Sequence, residues 1–64
     1  MTLREIRERL GYSRSRLAKQ ANIDYSVLYK LEKGHVYPYP NWVKRIAAAL
    51  GVSEDELREN CGWK

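Results

Sequence analysis

Between Ser13 and Gly34 the chain reads SRSRLAKQANIDYSVLYKLEKG, and this stretch leaves few folds open. Leu17, Ala18 and Ala21 form one apolar stripe at helical spacing, and Leu28 and Leu31 form another. The break between them falls at Ala21-Asn22-Ile23. A tight turn between two helices needs a left-handed residue, and after glycine, asparagine is the least penalised choice. Ser13 is placed to cap a helix over about 14–21. Asp24 is placed to cap one over about 25–33, which Gly34 closes. Ile23 plugs the angle between them. The pattern is a helix, a sharp turn and a second helix.

The flanks extend this all-helical reading. Thr2 with Glu5 forms a capping box for a first helix, whose Leu3, Ile6 and Leu10 share one face. Gly11 ends that helix, and Tyr12 packs under the junction. Pro38 and Pro40 hold residues 35–39 out of helix, and Pro40 suits the first turn of a fourth helix running to about Leu50. Val43, Ile46, Ala47 and Leu50 face inward there, and Gly51 is the stop. Ser53-Glu54-Asp55-Glu56 reads as a second capping box, opening a fifth helix through about Asn60. Val52 serves as its staple and Leu57 turns inward. The expected architecture is all-α, five short helices over residues 1–60, followed by a short, less ordered tail over 61–64. With 64 residues there is room for one core, burying roughly 60% of the unfolded surface.

Composition excludes several functions. The single cysteine, Cys61, permits no internal disulfide, and no second cysteine or nearby histidine gives metal-ligand spacing. No nucleophile–base pair or phosphate-cradling glycine loop suggests an enzyme, and no cofactor or small-molecule ligand is indicated. No apolar run approaches the ~18 residues of a membrane span, and the charged start TLREIRERL is no signal peptide. A cytoplasmic protein is expected.

The charge is unevenly spread. Residues 1–46 hold ten Lys/Arg against four Asp/Glu, whereas residues 47–64 hold two against four. The helical pair lies in the positive part, to which a polyanion is steered. In a helix-turn-helix the second helix enters the DNA major groove by its N-terminal part. The residues placed for base contact are Tyr25, Ser26, Val27, Tyr29 and Lys30. Lys30 can donate to guanine O6/N7, Ser26 suits several bases, and Val27 can meet a thymine methyl. For the DNA backbone the candidates are Arg14, Lys33, and His35 and Tyr37 in the loop after Gly34, with Lys44 and Arg45 as weaker ones. The plainer alternatives are that Tyr25 and Tyr29 are ordinary exposed tyrosines and that Val27 leans into the core. Arg16 and Lys19 read as a solvated face.

Taken together the residues resemble the Cro/repressor family of helix-turn-helix proteins. The resemblance runs from Leu3 to Leu57 without a gap. It is carried by Leu3, Ile6-Arg7 and Leu10-Gly11, then by Ser13-x-x-x-Leu17-Ala18 and Ile23-Asp24-x-x-x-Leu28-x-x-Leu31-Glu32-x-Gly34. Pro38, Ile46-Ala47-Ala48-Ala49-Leu50-Gly51-Val52-Ser53 and Leu57 complete it. It implies a lambda-repressor-like five-helix domain with helices 2 and 3 as the helix-turn-helix. It further implies a partly buried bidentate ion pair between Arg7 and Glu32. Two positions depart from the family: Arg14 stands where glutamine is usual, and Asn22 where glycine is favoured.

The implied function is a transcriptional regulator, a repressor reading a palindromic operator on double-stranded DNA as a homodimer. Tyr39, Trp42 and Trp63 are candidates for the dimer seam, because aromatic residues favour interface cores. The alternative for Trp42 is that it covers the monomer's own core. The competing function is a protein-interaction module on the same scaffold, antitoxin-like or partner-binding. The charge of residues 13–34, five basic against two acidic side chains, favours DNA, while their tyrosines keep a protein partner open.

Overall fold

The computed structural model describes residues 2–63. They form five helices, α1 (Leu3–Arg9), α2 (Arg14–Ala21), α3 (Tyr25–Lys33), α4 (Pro40–Leu50) and α5 (Glu54–Cys61), with no strand among them. This is the all-α architecture that the stripes and caps predict. α2 lies centrally against α3 and α4, α5 packs on α4 and α1, and α1 also rests on α3.

One core joins all five helices. Leu17, Leu28, Val43, Ile46 and Leu57 have no exposed surface, and Leu3, Ile6, Ala18, Ala21, Leu31, Ala47 and Leu50 surround them. Leu10 was expected on this inner face and is instead 49% exposed. The helix ends one residue earlier, so Leu10 is its C-cap, with φ −90° and ψ 1°, and its side chain borders an open hollow with Ile6, Val52 and Leu57 at the edge of the core.

The caps show which polar residues shape the chain locally. Thr2 and Glu5 form both halves of a capping box. Ser13 accepts from the Arg16 amide, and Ser53 from the Glu56 amide. Ser53–Glu56 thus shows the forward half of the expected box. Asp24 occupies the N-cap of α3 but makes no side-chain cap bond. The hinge residue Asn22 has φ 56° and ψ 48°, in the left-handed region. Its carbonyl accepts from Arg45 Nη1 at 3.3 Å, tying the turn to α4.

The C-terminal end is more regular than the sequence suggests. α5 continues through Cys61, and the Gly62 amide and Trp63 amide turn back onto Glu59 and Arg58. Cys61 and Trp63 are half-buried against the core. Trp63 lines a hollow with Leu3 and Leu31 at the edge of the core. Lys64 lies outside the described residues.

Candidate nucleic-acid interface

The candidate surface is anchored in the interior, at Glu32. Its side chain is 2% exposed and faces two arginines. Arg7 of α1 donates from Nε to Oε2 at 3.0 Å and from Nη2 to Oε1 at 3.4 Å. Its remaining Nη1 donates to the Tyr12 carbonyl at 2.8 Å. The Arg7 side chain is 8% exposed, so this fork is desolvated, and each of its three nitrogens has an acceptor. No buried side-chain nitrogen or oxygen among the described residues lacks a partner. The pair fixes the last turn of α3 to α1.

Glu32 also receives Arg14, the first residue of α2, from Nε to Oε1 at 3.4 Å. Arg14 then reaches outward. Its Nη1 donates to the Tyr25 hydroxyl at 3.1 Å. Its guanidinium lies 5.7 Å from the Tyr25 ring centre and 5.0 Å from that of Tyr29. The hydrogen bond to Tyr25, with Glu32 nearby, raises the Arg14 pKa above its ordinary value. Lys33 approaches the Tyr29 ring at 5.6 Å. A continuous chain of contacts therefore runs from α1 through Glu32 and Arg14 to the first turn of α3.

Around this chain, Tyr25, Ser26, Tyr29 and Lys30 are exposed on α3. Val27 is half-buried and packed against the core, which limits what it can present to a groove. Lys33, His35 and Tyr37 are exposed at and beyond the end of α3. Arg16 lies against the Tyr12 ring at 5.0 Å, a partner the sequence pattern did not suggest.

The aromatic residues divide into separate sets. Tyr37, Tyr39 and Trp42 stack edge to face, with ring centres 5.0 Å and 5.4 Å apart. Trp42 is half-buried against the core, so it covers the monomer while touching the exposed Tyr39. It also borders an open groove of about 480 Å³ that Lys19 and Arg45 flank. Trp63 borders a different hollow, with Leu3, Leu31 and Lys33. Cys61 is also there, its thiol pushed up to about 11 by burial.

No group of three metal-binding side chains occurs among the described residues, and none of the helices described is long and apolar enough to cross a membrane. Arg14, Lys33, Tyr25 and Tyr29 together build a cationic and phenolic surface on α3.

A helix-turn-helix domain model matches residues 1–60. The chain belongs to the helix-turn-helix domain family, of the Cro/repressor type. It is also similar to the HTH-type transcriptional regulator SlrR of Bacillus subtilis (strain 168), with 38% identity over 56 residues. That match takes in 86% of this chain and 37% of the relative, so the chain spans little more than a third of the length of the protein it matches. No solved structure matches the chain. For this family member, α2 and α3 are the helix-turn-helix, Asn22 is its hinge, and Arg14 joins the two helices at their leading ends.

Proposed function

We propose that this helix-turn-helix domain is the DNA-binding part of a transcriptional regulator and lays the first two turns of α3 in the major groove. The observation that carries this reading is the outward face of α3. Tyr25, Ser26, Tyr29 and Lys30 are exposed together, and Arg14 is fixed beside them by Glu32. Tyr25, Ser26 and Lys30 read base edges, while Arg14, Lys33, His35 and Tyr37 meet phosphates. The similarity to a transcriptional regulator supports the same assignment. In the proposal the protein works in the cytoplasm and represses by occupying its operator. Two copies read half-sites about 34 Å apart on an approximately palindromic site.

Selection of bound sequences from random duplex DNA at two salt concentrations tests this function. Specific readout yields one palindromic motif that persists at the higher salt. Binding without a motif that vanishes as salt rises rejects it.

A second reading has its own support. The exposed Tyr37–Tyr39 pair, continued by Trp42, is suited to a protein partner. Tyr37→Ser weakens operator binding if the first reading holds, because Tyr37 then meets a phosphate, whereas unchanged operator binding leaves the pair to a protein partner.

A further inference from the structure

We infer that Arg14 fixes the polarity of the Tyr25 hydroxyl, making Tyr25 a hydrogen-bond donor that contacts only acceptor atoms of the DNA. The inference rests on the proposed DNA-binding function. Arginine has no acceptor, so in the 3.1 Å bond from Arg14 Nη1 the phenol oxygen must accept. The hydroxyl's own proton is then directed elsewhere, and Tyr25 is exposed. An approaching amino group would bring its partly positive hydrogen towards a guanidinium, whereas an acceptor would be drawn to it.

The bond is held from behind. Arg14 is anchored to Glu32 at 3.4 Å, and Arg7 in turn fixes Glu32 through two contacts. The Tyr29 ring lies against the same guanidinium. Arg14 is thus a positioning residue held by two neighbours, Glu32 and Tyr29, besides its hydrogen-bonded tyrosine. In the major groove the acceptors open to Tyr25 are guanine N7 and O6, adenine N7 and thymine O4. Cytosine offers only its amino donor there, so Tyr25 discriminates against it. A phosphate oxygen has the same acceptor chemistry, and the experiment separates it from the bases.

The test is acceptor deletion in the selected operator duplex. 7-Deazapurines remove N7, 2-aminopurine removes guanine O6, 5-methyl-2-pyrimidinone removes thymine O4, and methylphosphonates alter single phosphates. Binding of the wild type, Tyr25→Phe and Arg14→Met is measured on each duplex. Tyr25→Phe keeps the ring, and Arg14→Met leaves Glu32 paired with Arg7; thermal melting confirms that both fold.

The expected result is one position where the wild type loses about tenfold and Tyr25→Phe loses nothing further. A base analogue at that position assigns a base edge, and a methylphosphonate assigns the backbone. Arg14→Met should blunt this sensitivity, because the hydroxyl is then free to accept. If the wild type binds its operator but no deletion is coupled to Tyr25, the donor role is overturned. Full sensitivity in Arg14→Met overturns the role of Arg14. Failure of the wild type to bind any duplex specifically rejects the DNA-binding reading itself, a separate outcome.

Discussion

Arg7 and Glu32 meet across 25 residues of sequence through two nitrogen–oxygen contacts, 3.0 Å and 3.4 Å long, with both side chains almost wholly buried. Such a pair contributes little net stability compared with apolar replacements, because desolvation offsets attraction. Its effect is geometric. α1 and the end of α3 cannot slide past one another without separating two buried charges.

This asymmetry gives the first prediction. Arg7→Ala leaves the Glu32 carboxylate buried with only the longer Arg14 contact, and leaves the Tyr12 carbonyl without its donor. A loss of about 3 kcal/mol is expected, lowering the melting temperature by roughly 15 °C. The double replacement Arg7→Met with Glu32→Met should recover most of that loss. Thermal unfolding by circular dichroism checks both, and an Arg7→Ala protein that melts like wild type contradicts the arrangement.

The hinge gives the second. Asn22 stands in the left-handed region, where a Cβ without a local polar partner is disfavoured. Asn22→Gly should be neutral or slightly stabilising, while Asn22→Ala should cost about 1 kcal/mol. Equal stability in urea for the alanine variant and the wild type would argue against strain at this turn.

The third separates residues that look alike in sequence. Ser13 and Ser53 cap through their hydroxyls, whereas Asp24 holds the same backbone position without a side-chain bond. Ser13→Ala and Ser53→Ala should each cost about 1 kcal/mol, and Asp24→Ala much less. Chemical denaturation midpoints of the three variants provide the comparison.

Helix positions were legible in the sequence because caps, prolines and positive-φ residues act locally. Pro40 starts α4, Gly51 stops it, and Asn22 turns the chain, each for reasons confined to a few residues. What escaped the sequence depended on distance or on where the packed core ends. Leu10 follows the helical spacing but falls just beyond the helix end. Asp24 is a favoured cap type, yet its bond depends on a rotamer that no spacing specifies. The Arg7–Glu32 pair could be expected only through resemblance. Nothing in the spacing announces that Arg14 shares the same carboxylate and grips Tyr25, because that requires the packed angle between α2 and α3. Trp63 escaped for a similar reason: a residue near the chain end joins the core only once α1, α3 and α5 are assembled.

The thiol supplies the fourth prediction. Burial favours the neutral form of Cys61, raising its pKa from the ordinary 9.0 to about 11. A group that holds its proton more tightly when folded contributes stability fully present below its unfolded pKa. That contribution is lost as pH rises through the folded value, here over about pH 9 to 11. Alkylation by iodoacetamide at pH 8 should therefore be slow in the native protein and fast in urea. Equal rates in the two states would show an open, ordinary thiol.

The last prediction concerns the aromatic residues proposed for a dimer seam. Tyr39 is exposed, Trp42 joins it to the core, and Trp63 packs beside a different hollow. Replacing Tyr39 should therefore change association without changing the fold, whereas replacing Trp63 should change the fold first. Tyr39→Ser is expected to alter stability by less than about 0.5 kcal/mol, and Trp63→Ala to cost about 2 kcal/mol through lost packing. Sedimentation velocity across micromolar concentrations, read beside thermal melts, distinguishes the two effects. If the wild type is dimeric and Tyr39→Ser becomes monomeric with an unchanged melt, the seam lies on the Tyr37–Tyr39–Trp42 side. A dimer that persists in Tyr39→Ser removes Tyr39 from the seam. A wild type that sediments as a monomer throughout removes the aromatic seam altogether and leaves Trp42 and Trp63 as covers for the core of a single chain.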